Sequence, residues 1–302
     1  MSVPVLPEFD VSVVVATYRR EVDLKRALES IGDQTHRSIQ VVVVDDNAES
    51  TWNERVQAVV RDVGCRKHLS VVYLCNDVRC GSAVSRNRGI EFADGEYVTF
   101  LDDDDVYLPE KVQRQLAHMK DADSDYSITD LELVSESGRL VERRRRRYLD
   151  GCTADSLLRA HYMHHITGTD TIMFRKNYLC RIGGFPQIPL GDEFHLVERA
   201  IRAGGRFSYL PVCDVRATVH TRTHGKSSGQ AKIDGENALY LHKTELMQSL
   251  DRRAVSYITM RHWLVLSFAE LRHGRLRVSL WYALRALIAS PVQMLRLIIQ
   301  SR

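Results

Sequence analysis

The amino-acid sequence predicts an α/β fold in which helices cover both faces of a mostly parallel, doubly wound sheet. Two stretches, VSVVVATY (11–18) and IQVVVVDDN (39–47), are nearly continuous runs of β-branched residues, which is typical of strands buried on both faces. Segments with helical periodicity separate these strands from the strands that follow. This alternation of strand and helix indicates right-handed βαβ units.

The rest of the first hundred residues continues this alternation. After the first strand, Leu24, Leu28 and Ile31 recur at helical spacing, which predicts an amphipathic helix over 21–34. By the same patterns we predict further helices over 52–63 and 81–93, and further strands over 69–76 and 97–102.

The second half of the chain is less regular. We predict a helix over 108–119, a strand over 124–134, and strands within 170–179 and 207–220 around a helix over 193–204. The run Arg143–Arg147 is expected in a hairpin or loop as a solvated strip, which would attract an anionic acceptor or a membrane surface. The pattern is mostly helical after residue 234. We therefore expect one domain over 10–230 and a helical C-terminal extension over 231–302.

The composition argues against several classes of protein. A net charge of +3 on 302 residues is too small to indicate a nucleic-acid partner, and the six cysteines form no CxxC pair, which predicts reduced thiols and no structural zinc. The N-terminus lacks the pattern of a signal peptide, and no window has the apolar length of a membrane span. We expect a cytoplasmic chain, soluble or peripheral at the inner face of the plasma membrane.

The C-terminal segment 277–302 combines apolar residues with arginines. Trp281, Leu284, Leu287 and Leu295 belong to an amphipathic helical pattern that also carries Arg285. Such a basic amphipathic segment suits the surface of a bilayer. It equally suits packing on the domain or on a second subunit, in which case the chain would form a homo-oligomer.

Four consecutive carboxylates, Asp102 to Asp105, follow the predicted strand 97–102 at its carboxyl end. Side by side they repel one another unless water or a cation compensates their charge. In parallel sheets, ligands bind beyond the carboxyl ends of the strands. The Asp-x-Asp pair Asp102 and Asp104 suits Mg²⁺ or Mn²⁺, which take oxygen ligands and often substrate phosphates as well.

Other polar residues end the neighbouring strands. Asp45 and Asp46 follow the second strand, where an acidic residue often accepts hydrogen bonds from a nucleoside. The first turn, TYRREVDL, contains no glycine, which argues against the dinucleotide fold of a dehydrogenase. Arg86 lies on the predicted helix 81–93, where its guanidinium offers a donor fork for a diphosphate.

Two further groups have both a structural and a functional interpretation. Asp192 and Glu193 begin the helix over 193–204; the helix dipole favours acids there, but a carboxylate at this place could also deprotonate an acceptor hydroxyl. His220 and His224 flank a polar loop, and either one is a candidate metal ligand or an ordinary surface residue.

Three blocks of the sequence together resemble inverting family 2 glycosyltransferases of the GT-A fold. They are VSVVVATYRREVDLKRALESIGDQTHRSIQVVVVDD (11–46), GSAVSRNRGIEFADGEYVTFLDDDD (81–105) and GGFPQIPLGDEFHLVERAI (183–201). The resemblance covers roughly residues 10–230. It implies a Rossmann-like domain that binds a nucleotide sugar, by default a UDP-sugar, together with Mn²⁺ or Mg²⁺.

The resemblance also implies roles for individual residues. Asp104 would be the direct metal ligand beside Asp102, with Asp103 near the ribose. The nucleoside pocket would be lined by Thr17, Tyr18, Asp45 and Asp46, with Arg86 near the base or diphosphate. The family's Glu-Asp pair is inverted here to Asp192-Glu193; alignment favours Glu193 as the base and leaves Asp192 open. The family's histidine falls on His220 or His224.

The implied reaction is metal-assisted transfer of a sugar, with inversion, to a hydroxyl of a glycan or lipid-linked acceptor. A bacterial surface polysaccharide is the acceptor class that the family suggests. Two other functions remain open at this point: a non-catalytic binder of nucleotide sugars or polyanions on the same fold, and a metal-dependent phosphoesterase.

Overall fold

A computed structural model describes residues 8–166, 168–188, 191–220 and 230–300 of the chain. It confirms the α/β class and the helical C-terminal region. The chain divides into two compact units. The first holds the described residues of Met1–Ala154, Ile166–Ile188 and Asp192–His220; the second, which is helical, holds those of Asp155–His165, Pro189–Gly191 and Thr221–Arg302.

The strands form two sheets in the first unit. In chain order they are β1 Phe9–Thr17, β2 Ile39–Asp45, β3 Ser70–Cys75, β4 Gly95–Phe100, β5 Val106–Tyr107, β6 Tyr126–Thr129, β7 Leu131–Ser135, β8 Leu140–Arg144, β9 Ile172–Arg175, β10 Phe207–Leu210 and β11 Val215–Val219. The seven-stranded sheet has the order β10-β6-β9-β4-β1-β2-β3, and the four-stranded sheet has the order β5-β11-β7-β8.

The helices alternate with these strands and then continue alone. They are α1 Glu21–Gly32, α2 Ser50–Lys67, α3 Ser82–Glu91, α4 Lys111–Asp121, α5 Ala154–His164, α6 Lys176–Arg181, α7 Asp192–Arg202, α8 Gln230–Met247, α9 Arg252–Arg272, α10 Leu276–Ala289 and α11 Pro291–Gln300. Short 3₁₀ turns cover Arg147–Leu149 and Thr169–Thr171.

The parallel strands at the centre of the large sheet bring their carboxyl ends to one edge. β1 pairs in parallel with both β2 and β4, and Thr17 lies opposite Asp45 in the register. The valines of β1 and β2 are buried on both faces, as continuous β-branched runs predict. β9 runs antiparallel between β4 and β6. The expected meeting of the polar strand ends is therefore confirmed by the topology.

The predicted strand over 124–134 is wrong, because this stretch forms two strands in different sheets. β6 belongs to the large sheet and β7 to the small one, and the chain changes sheet at Asp130. The Asp130 carboxylate stabilises this corner by accepting hydrogen bonds from the Arg146 amide and the Tyr209 hydroxyl, each at 2.8 Å.

The prediction that Arg143–Arg147 forms a solvated strip is correct only in part. The hairpin is present, since β7 pairs antiparallel with β8, whose residues are exposed. Arg146, however, is 4% exposed and donates from Nη1 to the Thr129 carbonyl at 2.7 Å. This arginine is thus a structural residue of the sheet corner.

The second unit consists of helices. Asp251 caps α9 by accepting from the Ala254 amide at 2.9 Å, and it forms an ion pair with Arg159 of α5 at 2.7 Å. Among the described residues, every helix falls short of the combination of length and apolar character that crossing a membrane requires.

The close packing of α3 on β1 gives a first testable prediction. A Cβ atom added to Gly89 of α3 would lie 2.3 Å from Cγ1 of Val14, whereas one added to Gly64 of α2 would meet Cγ2 of Val71 at 3.5 Å. We expect Gly89→Ala to lower the free energy of unfolding by about 1–3 kcal/mol. Gly64→Ala should raise it by up to about 1 kcal/mol, because alanine is the better helix former.

Urea denaturation of both variants measures this difference. Equal stability of the two variants would contradict the proposed tight packing of α3 on β1.

Candidate active site

Asp103 ties the end of β4 to the end of β1. Its carboxylate accepts from the Thr17 hydroxyl at 2.8 Å, the Tyr18 amide at 3.3 Å and the Arg20 guanidinium at 3.0 Å. Burial raises the pKa of Asp103 to about 6. The predicted residues Thr17, Tyr18 and Asp103 therefore do meet at the sheet edge, and Arg20, which the sequence did not single out, joins them.

Arg86 forms a bridge between two elements of the site. This α3 residue is 7% exposed, and its guanidinium lies 2.5 Å from Oδ1 of Asp102 and 3.2 Å from Oδ2 of Asp192. Asp102 follows β4, while Asp192 begins α7. A buried guanidinium between two carboxylates holds the first turn of α7 against the acidic edge of the sheet.

Glu193 lies beside this bridge. Its side chain hydrogen-bonds to Asp192, and burial together with that neighbour raises the pKa of Glu193 to about 8. Near neutral pH the protonated form of Glu193 is favoured, because a buried carboxylate beside another carboxylate ionises only at a cost. Asp192 is already held by Arg86, so Glu193 is the carboxyl of the pair without an ion-pair partner of its own among the described residues.

Asp104 and His220 are brought together as the sequence predicts. Oδ2 of Asp104 lies 2.8 Å from Nε2 of His220, which directly follows β11. Nδ1 of the same imidazole lies 3.2 Å from Glu136, and Arg20 lies within hydrogen-bonding distance of Asp104. His224 lies outside the described residues.

Asp170, which the sequence analysis did not single out, completes the acidic edge. Asp170 accepts from the Asp102 amide at 2.6 Å, and oxygens of Asp102, Asp105 and Asp170 lie within 4.8 Å of one another. Burial, reinforced by the charge of Asp102, raises the pKa of Asp170 to about 7. Burial and Asp170 also raise the pKa of Asp105. Asp105 also accepts from the Thr218 amide at 2.7 Å.

A buried lysine lies on the inner side of this edge. Nζ of Lys111 donates to the Thr99 hydroxyl at 2.6 Å and lies 4.0 Å from the centre of the Tyr107 ring. Burial lowers the pKa of Lys111 to about 7. The sequence analysis assigned no role to this residue, which lies in the predicted helix over 108–119.

Asp45 and Asp46 are buried and are already engaged by protein donors. Asp45 accepts from the Tyr73 hydroxyl and the Asn47 side chain, each at 2.7 Å. Asp46 accepts from the amides of Cys80 and Gly81 at 2.7 and 2.8 Å. The bonds to Asp46 fix the loop that leads into α3, and those to Asp45 join the end of β2 to β3. The nucleoside role of both residues stays a prediction.

The donor set of the edge fits a hard divalent cation. Carboxylate oxygens predominate and an imidazole lies beside Asp104. Burial, reinforced by neighbouring carboxylates, raises the pKa values of Asp105 and Asp170. The arrangement can hold a diphosphate through a cation, and it places a carboxyl of high pKa, Glu193, near the same edge.

Comparison with known proteins agrees with this fold. The family model described as Glycosyl transferase family 2 matches residues 12–180, which is more than half of the chain, and the chain belongs to this family. Curated relatives include an uncharacterized glycosyltransferase of Rickettsia felis, 30% identical over 47% of this chain and 22% of the relative. The putative teichuronic acid biosynthesis glycosyltransferase TuaG of Bacillus subtilis is 29% identical over 44% of this chain and 51% of the relative.

The chain thus spans about half the length, or less, of these curated relatives. Among solved structures, S. aureus TarS 1–349 in complex with UDP-GlcNAc superposes with a TM-score of 0.64 and 21% identity, over 93% of this chain and 79% of that one. The mannosyltransferase PcManGT of Pyrobaculum calidifontis, in complex with GDP-Man and Mn2+, gives 0.55 and 17%, over 93% and 73%. The fold of this chain is therefore that of GT-A glycosyltransferases.

The shared proton of Asp105 and Asp170 gives a second prediction. The pKa of Asp170 is about 7 in the folded protein, above its ordinary value of 3.8. Its contribution to stability is thus fully present below pH 3.8 and is lost as the pH rises through 7. Asp170→Asn, which resembles the protonated form, should become more stable relative to wild type as the pH rises from 5 to 8.

Chemical denaturation in EDTA at several pH values measures this trend. Asp77→Asn, at an exposed position, is the control and should show a difference from wild type that does not vary with pH. A constant difference between wild type and Asp170→Asn would contradict the proposed proton sharing.

Proposed function

We propose that this chain is an inverting glycosyltransferase that moves a sugar from a nucleotide-sugar donor to a hydroxyl group of a glycan or lipid-linked acceptor. The observation that carries the proposal is the position of Glu193, which is joined through Asp192 and Arg86 to Asp102 at the acidic sheet edge. A base and a diphosphate site at one edge are what direct displacement requires.

The comparisons support the choice of substrates. TarS binds UDP-GlcNAc in its solved structure, which favours a UDP-sugar as the donor. A Campylobacter jejuni relative, 36% identical over 32% of this chain, is a glucosyltransferase that acts on a PP-undecaprenol-linked acceptor by its name. TuaG and the putative colanic acid biosynthesis glycosyl transferase WcaA of Escherichia coli point to surface polysaccharides.

Glu193 is the general base in this proposal. Its carboxylate takes the proton of the acceptor hydroxyl, whose oxygen attacks the anomeric carbon on the face opposite to the leaving nucleoside diphosphate. Inversion follows from that geometry. Asp192 is a positioning residue, because its carboxylate is held by Arg86 at 3.2 Å and keeps the pKa of Glu193 high enough for efficient proton transfer near neutral pH.

Asp104 and His220 would hold Mn²⁺ or Mg²⁺, with Asp102 close to the same edge. Bound there, the cation would neutralise negative charge on the diphosphate leaving group. Asp105 and Asp170 are less suited to this role, because they share a proton and already accept from the amides of Thr218 and Asp102. We assign to them the structural task of joining β11 to the turn after β4.

Thr17, Tyr18 and Asp103 would bind the nucleoside of the donor. The Asp103 carboxylate suits a ribose hydroxyl. The guanidinium of Arg79 stacks 4.2 Å from the centre of the Tyr18 ring. Asp45 and Asp46 would form the inner wall of this pocket, because both are buried at the end of β2 and Asp46 fixes the loop before α3.

The pH dependence of transfer tests the assignment of the base. Only ionised Glu193 accepts a proton, so kcat/KM should rise with pH and level off above about 8. Glu193→Gln should lower kcat by about 10²–10⁴-fold. Asp192→Asn should move the rise of kcat/KM to lower pH, because Asp192 helps to raise the pKa of Glu193.

Release of nucleoside diphosphate in the presence of acceptor is the readout, and Glu91→Gln, at an exposed position, is the control. If Glu193→Gln keeps wild-type turnover while Asp192→Asn is inactive, the assignment must be reversed.

The metal assignment is tested by comparing two acidic positions. We expect Asp104→Asn and His220→Ala to weaken Mn²⁺ binding by at least about tenfold each, since loss of a ligand costs about 1.4 kcal/mol or more. Asp170→Asn should bind Mn²⁺ like wild type. Titration calorimetry with Mn²⁺ measures these affinities, and loss of binding in Asp170→Asn alone would place the cation at the Asp102–Asp105–Asp170 cluster instead.

A further inference from the structure

The last helices of the chain expose an unusual amount of apolar surface. Of the eighteen large apolar side chains that are exposed in the described part of the chain, eleven lie between Phe268 and Leu295. Isolated apolar residues on a surface need no explanation, but a contiguous group of them marks a surface that is covered in use.

Helix α10 has its apolar face turned outward. Its buried positions are the small residues Ser279 and Ala286, and Ser279 accepts from the hydroxyl of Ser267 in α9 at 2.9 Å. Residues spaced by four on the other side, Leu280, Leu284 and Ile288, are 61%, 55% and 72% exposed. A helix that only packs within its own unit would bury these side chains and expose the small ones.

The charge of the same region is entirely positive. From residue 271 to 302 the sequence contains six arginines and no aspartate or glutamate. Two copies of this chain that met through this face would bring like charges together, which opposes association. An anionic surface would instead be attracted, and arginine side chains can reach phosphate groups while the leucines enter an apolar phase.

A groove beside this face offers a place for a headgroup. It has a volume of about 420 Å³ and is lined by Arg253, Ser256, Ser290, Val292 and Gln293. Its donors suit a phosphate oxygen. Val292, which is itself exposed, connects the groove to the apolar face.

We propose that α10 and the start of α11 bind in the plane of a bilayer that contains anionic lipid. Leu280, Leu284 and Ile288 enter the acyl boundary of the bilayer. The arginines of the same region contact lipid phosphates. This interaction is peripheral and does not depend on the proposed transferase activity.

Sedimentation of the full-length chain with lipid vesicles tests the proposal. We expect binding to vesicles of phosphatidylcholine with about one third phosphatidylglycerol, weak binding to phosphatidylcholine alone, and weaker binding at high salt. Leu284→Gln combined with Ile288→Gln should reduce binding by at least about tenfold. Arg253→Gln combined with Arg277→Gln should reduce it by at least about tenfold, since each arginine is worth about fivefold.

Two matched controls separate this face from the rest of the surface. Val22→Gln and Leu241→Gln change exposed apolar residues elsewhere and should bind vesicles like wild type. Quenching of Trp281 by brominated phosphatidylglycerol gives a second readout on the unaltered face; we expect quenching that Trp281→Phe abolishes.

The proposal is overturned if the wild type does not bind anionic vesicles or binds neutral ones equally well. It is also overturned if the Leu284→Gln, Ile288→Gln variant binds anionic vesicles like wild type. A dimer in sedimentation equilibrium that dissociates in the Leu284→Gln, Ile288→Gln variant, without vesicle binding by the wild type, would assign the face to a second copy of the chain.

Discussion

The arrangement of the site depends on one buried guanidinium. Arg86 pairs with Asp102 after β4 and with Asp192 at the start of α7, two positions that are ninety residues apart in the sequence. Removing one partner of such a buried pair typically costs about 3–5 kcal/mol, because the remaining charges lose their compensation. Arg86 therefore stabilises the relative position of the sheet edge and α7. In the proposed reaction, that position decides whether Glu193 faces the diphosphate of the donor.

The carboxyl groups at this sheet edge outnumber the arginines, Arg20 and Arg86, that form ion pairs with them. Burial raises the pKa values of Asp103, Asp170 and Glu193 to about 6, 7 and 8. Near neutral pH these pKa values favour partial protonation of Asp170 and protonation of Glu193. In the proposed reaction a divalent cation and an acceptor proton compensate part of the negative charge, so that electrostatic repulsion in the empty site favours binding and proton uptake.

The sequence predicted those parts of the structure that depend on local pattern. Continuous β-branched runs identified β1 and β2, and the acids that follow strands were correctly placed at one edge. Contacts made by distant pairing were not predictable in this way. Asp170 reaches the edge because the antiparallel β9 inserts between β4 and β6, and Arg146 is buried because the chain changes sheet at Asp130. Arg20 follows Arg19, whose φ of 54° turns the chain in a way that no residue pattern signals.

The anomeric configuration of the product tests the central proposal most directly. The protein would be incubated with α-linked UDP-sugars, Mn²⁺ and glycan or polyprenyl-diphosphate-linked acceptors, and the new glycosidic bond would be assigned by ¹H NMR. We expect a β-linked product together with acceptor-dependent release of UDP. An α-linked product would contradict inversion at the anomeric carbon. Cleavage of the donor that does not depend on any acceptor would contradict the proposed transfer to an acceptor hydroxyl.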